Sequence, residues 1–148
     1  MFTRSILVSF LAGLFLAVAS FSSRADDHPY TEGPVVNVEA VRTANGKFDE
    51  YMKWLDTVWK LKKEAAKKAG YVLGYQVLKA EPRTENDPDL YLVITYRNWA
   101  VMDGMTAKED ALEKQVEGSL TTSNQTNAER DKIRRVLGSE TVQVLELK

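Results

Sequence analysis

The chain has 148 residues, 20 basic against 21 acidic, one histidine and no cysteine. That balance gives nucleic acid and anionic membranes no electrostatic footprint, and the missing cysteines exclude disulfide staples, thiolate zinc sites and a lipidated N-terminal cysteine. No phosphate loop, nucleophile elbow or His cluster appears, so the sequence calls for no cofactor and no metal.

The first residues, MFTRSILVSFLAGLFLAVASFSSRADD, place Arg4 before an apolar run from Ile6 to Ala19 and end in the small residues Ser23-Arg24-Ala25. This is the pattern of a secretory signal peptide over residues 1–25, cleaved after Ala25. The rival reading is an uncleaved anchor, since about 20 apolar residues span a bilayer. Cleavage predicts an exported protein, periplasmic or secreted, with no membrane association once the leader is gone. Loss of Arg4 and Arg24 leaves a net charge of −3.

Residues 26–33 are polar, contain His28-Pro29, and carry no apolar repeat; a flexible arm is expected. One domain follows over residues 34–148. VVNVEAVRT, from Val35 to Thr43, alternates, with Val36, Val38 and Ala40 on one side and Asn37, Glu39 and Val41 on the other. This predicts a first strand. Lys47 to Ala69 repeats at helical spacing, with Phe48, Met52, Leu55, Trp59 and Ala66 on one stripe and Trp54, Val58, Leu61 and Ala65 beside it. So wide an apolar face suits a helix lying on a sheet. Asp49 and Glu50 at its start and Lys67 and Lys68 at its end complement the helix dipole.

Gly70 stands where a helix C-terminus favours a left-handed residue, and Tyr71, Leu73, Tyr75 and Val77 then alternate as a second strand. The charged loop EPRTENDPD leads to a third, LYLVITYR, from Leu90 to Arg97. Strand, loop and strand predict a hairpin. Beyond Arg97, Asn98 is expected to cap a short turn carrying Trp99 and Met102. Thr106-Ala107-Lys108-Glu109 and Thr126-Asn127-Ala128-Glu129 both match the capping box, which predicts helices over 107–117 and 127–137. SLTTSNQ then reads as a polar connector, and ETVQVLELK as the last strand.

The resulting order, βαββαβ, is the split βαβ or ferredoxin-like arrangement, an α+β fold with a four-stranded antiparallel sheet and helices on one face. The other face needs cover. Whether it carries Val36, Val38, Leu73, Tyr75, Leu92 and Ile94 or their equally apolar alternates, pairing with a second copy through the sheet is the expected solution.

The "NGKFDEYM" turn into the first helix and the "YLVITYRNWAVMDGM" passage after the third strand resemble the dimeric α+β barrel superfamily over residues 34–148. Within it the chain resembles uncharacterised exported members and, to a lesser degree, antibiotic-biosynthesis-monooxygenase-like domains. The resemblance implies a dimeric α+β barrel whose ligand sits between helices and sheet. It also implies a polar residue on the first strand, Asn37 or Glu39, and a tryptophan at Trp99. The only histidine, His28, lies ahead of the resembling region.

Two functions follow. One is a non-catalytic module that binds a small apolar or aromatic ligand; the other is a cofactor-independent monooxygenase or isomerase acting on a small aromatic substrate. The candidate binding residues are Asn37, Glu39, Tyr51, Trp54, Arg97 and Trp99, with no catalytic residue assigned. Each has a plainer reading: the tryptophans as core, Tyr51 reaching the surface, Glu39 facing outward, and Arg97 beside a capping Asn98.

Overall fold

The computed structural model describes residues 28–148, so the leader over 1–25 lies outside the described residues. From Tyr30 onward the expected arm is already strand. β1 (Tyr30–Thr43) opens with Tyr30 opposite Leu147, and the register shifts between Glu32 and Val35. The far end of the chain supplies the partner that local polarity gave no sign of.

The long helix forms as expected but in three stretches: α1 (Phe48–Trp54), a π-helical turn (Leu55–Trp59) and α2 (Lys60–Lys68). A π turn inserts an extra residue and changes which side chains face the sheet beyond it. Gly70, at φ 77°, closes α2. Its N–H bonds Lys67 O at 3.0 Å and the Tyr71 N–H bonds Ala66 O at 3.0 Å, the two bonds of a Schellman stop. β2 (Gly74–Lys79) and β3 (Leu90–Tyr96) make the hairpin. Asn98 caps the short turn Trp99–Met102 by accepting from the Val101 N–H at 3.2 Å.

The C-terminal third departs from expectation. α3 (Met105–Glu117) follows Gly104, so Thr106 is no cap, though the helix does end at Gly118 with φ 83°. α4 is Leu120–Arg130, not 127–137, and Ser119 caps it by accepting from the Thr122 N–H at 3.1 Å. Thr126 lies inside this helix, its hydroxyl donating to Thr122 O at 2.9 Å. SLTTSNQ is therefore mostly helix. The last strand, β4 (Arg134–Leu147), begins six residues before Glu140 and pairs with β1 along nearly its whole length.

The four strands form one antiparallel sheet in the order β2-β3-β1-β4, with the helices on one face. This is the ferredoxin-like α+β fold. Register assigns the faces. Val35, Asn37, Glu39 and Val41 share the helix side with Tyr96, Ile94, Leu92 and Leu90. Val36, Val38 and Ala40 share the opposite side with Thr95, Val93 and Tyr91, and Tyr75 stands opposite Ile94. The mixed set of Val36 and Val38 with Tyr75, Leu92 and Ile94 is thus split by the pleat.

The inward row of β1 is apolar at its ends and polar in the middle, and the core divides accordingly. One cluster gathers Val41, Tyr51, Leu55, Trp59, Leu90 and Leu92. The other gathers Val35, Ala66, Val72 and Tyr96. Asn37 and Glu39 lie between them, where neither cluster can close over a charged or amide side chain without leaving it unsolvated.

Candidate functional site

A cavity of about 290 Å³ occupies this gap between sheet and helices. Glu39 and Leu92 form its floor on the sheet. Tyr51, Trp54 and Trp59 enter from α1 and the π turn, Lys62 and Lys63 from α2, and Glu109, Leu112 and Glu113 from α3. Asn127, Arg130 and Arg134 close it from α4 and the start of β4. A second hollow of about 290 Å³ shares the wall made by Glu39, Trp59, Lys63, Leu92 and Glu109 and is completed by Asn37, Ile94, Tyr96, Met102 and Met105. The first lobe is polar and cationic on its far side; the second sets Ile94, Tyr96, Met102 and Met105 against the shared charged wall of Glu39, Lys63 and Glu109.

Aromatic packing builds one wall of the first lobe. Tyr51 and Trp54 stack with ring centroids 5.7 Å apart and planes 9° from parallel, and the Arg130 guanidinium lies 4.1 Å from the Trp54 ring centroid. Lys62 organises another wall: its ammonium contacts Glu117 and lies 3.5 Å from Glu113. Glu113 also accepts from the Ser123 hydroxyl at 2.8 Å, and Ser123 is fully buried. Beyond Lys62 the Glu117 carboxylate has no donor.

Several polar groups are left over. The indole Nε1 of Trp54, the Nε of Arg130, the Nε of Arg134 and Oδ1 of Asn127 are all buried and have no hydrogen-bond partner. All four residues line the first lobe. Such groups are rare in a finished interior, because each forfeits its water without replacement. Arg134 pairs with the exposed Asp131 at 3.4 Å; among the described residues no acid pairs with Arg130 or with Lys63, and Glu39 has no hydrogen-bond donor.

Burial governs the titration of this wall. It pushes the Tyr51 hydroxyl up from 10.0 to about 12, with Arg134 and Arg130 pulling down and Glu39 pushing up. It pushes the Lys63 ammonium below its ordinary value, against the opposing pull of Glu109. Arg130 is lowered too, by burial first and by the like charge of Arg134 second.

Of the residues expected from sequence, Glu39, Tyr51 and Trp54 meet in the first lobe. Asn37 lines the second, but its amide is engaged, donating to Thr141 Oγ1 at 2.9 Å and Ser139 Oγ at 3.0 Å across to β4. Arg97 and Trp99 line neither lobe. Arg97 is exposed at the end of β3, out of partnership with Glu39, and Trp99 is 48% exposed with its Nε1 donating to Gln143 Oε1 at 3.0 Å. Sequence reasoning missed Lys63, Asn127, Arg130 and Arg134. The helical spacing of Asn127 and Arg130 is a signal that could have found those two; Arg134, at the start of β4, left none. Among the described residues no group of His, Cys, Asp or Glu is placed to hold a metal ion, and no helix is long and apolar enough to cross a membrane.

No family model matches this chain, and no curated protein does. Two solved structures share its fold. HapK from Hahella chejuensis is 13% identical, with a TM-score of 0.50 over 73% of this chain and 90% of its own. A dimeric ferredoxin-like protein from an uncultured marine organism is 9% identical, with a TM-score of 0.51 over 80% of this chain and 98% of its own. At these identities the likeness concerns the fold.

Proposed function

Starting from a chain with the ferredoxin-like α+β fold, we propose an exported homodimer of the dimeric α+β barrel kind that binds a small apolar or aromatic ligand between sheet and helices. The observation that carries this reading is the split core: polar Asn37 and Glu39 interrupt the inward row of β1, and aromatic side chains wall the gap they leave. An interior built only for stability would fill that gap with apolar groups, since each empty methyl-sized volume costs about 1 kcal/mol. Dimerisation is supported by the apolar outer face of the sheet and by the dimeric neighbour. Export rests on the leader pattern, and intact mass of protein from its native host should begin at Asp26.

Titration of the protein with small aromatic compounds tests the binding reading. Trp54 and Trp59 wall the cavity, so a bound ring should change their fluorescence and raise the melting temperature. Leu112→Trp, which fills the cavity, should abolish both responses. Absence of any response across neutral, anionic and cationic aromatics would refute the reading.

One observation favours the second reading, a cofactor-independent monooxygenase or isomerase. Glu39 lines the cavity and accepts no hydrogen bond among the described residues, which leaves its carboxylate open to take a proton from a bound substrate. Turnover of an aromatic substrate that survives Glu39→Gln would exclude that role.

A further inference from the structure

We infer that the ligand is an amphipathic organic anion, its carboxylate or similar oxyanion held in the lobe of Arg130 and Arg134 and its apolar body extending toward Met102 and Met105. This rests on the small-molecule reading of the cavity and names the chemical class that fits it.

The head is specified by the leftover donors. Arg130 Nε, Arg134 Nε and Trp54 Nε1 are three N–H groups with no acceptor, buried in residues that wall one lobe. N–H donors without acceptors call for oxygen, and two guanidinium groups call for negative charge. The nearby acids supply it only in part: Glu39 and Glu109 line the same lobe, but among the described residues neither makes an ion pair with Arg130 or Arg134. Glu113 is engaged by Lys62 and Ser123, Glu117 is engaged by Lys62, and Asp131 reaches Arg134 from its exposed side. Arg130 keeps only the face of Trp54, which satisfies its charge in part and none of its N–H groups. The acceptor Oδ1 of Asn127 in the same lobe suits a hydroxyl beside the anionic group.

The body is specified by the second lobe. Leu92, Ile94, Met102 and Met105 give it an apolar strip beside Asn37, Glu39, Lys63 and Glu109, and methionines adapt to ligands of varied outline. Both lobes share Trp59 and Leu92 along with Glu39, Lys63 and Glu109, so a flat ring crossing the shared wall would lie on its Trp59 and Leu92 part. An anion with no apolar body would leave the second lobe empty; a neutral hydrocarbon would leave three donors unpaired.

Calorimetric titration with 2-naphthoate, its neutral analogue 2-naphthamide, benzoate and inorganic phosphate tests this on the full chain. The expected result is 2-naphthoate binding at least tenfold tighter than both 2-naphthamide and benzoate, with phosphate weaker than any of them. Arg130→Gln should erase the preference for acid over amide. Met105→Trp, which narrows the other lobe, should weaken 2-naphthoate more than benzoate and guards against an Arg130 variant that fails to fold. Equal affinity for 2-naphthoate and 2-naphthamide would overturn the anion while leaving the cavity reading intact. Phosphate binding as tightly as 2-naphthoate would overturn the apolar body. No binding of any organic probe would overturn the cavity reading and this inference together.

Discussion

The Arg130 guanidinium lies 4.1 Å from the centroid of the Trp54 indole, and among the described residues no acid pairs with it. A cation on an aromatic face is worth about 2 kcal/mol when both are shielded from water. A double-mutant cycle with Arg130→Met and Trp54→Leu should therefore give a coupling of about 1 to 2 kcal/mol in denaturant unfolding. A coupling near zero would mean the contact is incidental.

Tyr51 and Lys63 should give the protein opposite alkaline responses. A tyrosine with a pKa of about 12 when folded and 10.0 when unfolded keeps its proton longer in the native state. The stability linked to it is complete below pH 10 and is lost as pH rises through about 12. The loss is about 2 to 3 kcal/mol, and Tyr51→Phe should remove it. Lys63, lowered by burial, acts the other way. Its buried charge penalises the fold below the folded pKa, and the penalty fades as pH rises toward 10.5. Lys63→Met should thus be more stable than wild type at neutral pH, as thermal melts across the range would record.

Two tryptophans should respond differently to truncation. Trp59 is 8% exposed and packs in the core beside Tyr75, so Trp59→Ala should cost about 3 to 5 kcal/mol. Trp99, at 48% exposed with one hydrogen bond to Gln143, should cost about 1 kcal/mol. Equal losses in urea unfolding would contradict the surface placement of Trp99.

The ion pair of Lys62 with Glu117 is more deeply shielded than the other lysine pairs, with side chains 13% and 7% exposed. Lys62→Met alone strands a buried carboxylate and should cost about 3 to 5 kcal/mol. Adding Glu117→Leu should recover most of that loss. A double variant as unstable as the single one would show that packing, not charge, sets the cost.

Association through the sheet is tested at Val38, which stands between Val93 and Glu140 on the uncovered face. Light scattering at micromolar concentration should find the wild type dimeric and Val38→Lys monomeric. A wild-type monomer would exclude the sheet-paired dimer.

Where apolar residues mark buried positions, the sequence was legible. β1 from Val35, the helix from Phe48 and the hairpin of β2 and β3 all announce themselves by alternation or helical spacing. α4 did not, because its buried position is Ser123 and its inward residues are Asn127 and Arg130. Polar residues facing a cavity leave no apolar stripe, so Thr126-Asn127-Ala128-Glu129 looked like a helix start and the strand beginning at Arg134 looked like a helix end. The residues that make the candidate site are the ones that hid the elements carrying it.

Composition and periodicity by themselves determined the α+β class, the order of most elements, the stop at Gly70 and the presence of Glu39, Tyr51 and Trp54 among the candidates. Those properties depend on neighbours along the chain, through the pleat, the helical turn and backbone conformation. Only the tertiary structure decided that Glu39 faces the helices, that Arg97 and Trp99 stay outside, and that Arg130 and Arg134 come to the same cavity. Strand register and the packing of α4 on the sheet's helix side set those placements, and both depend on partners distant in sequence: a strand shifted by one residue turns every side chain to the other face, and no local pattern records which register the sheet adopts.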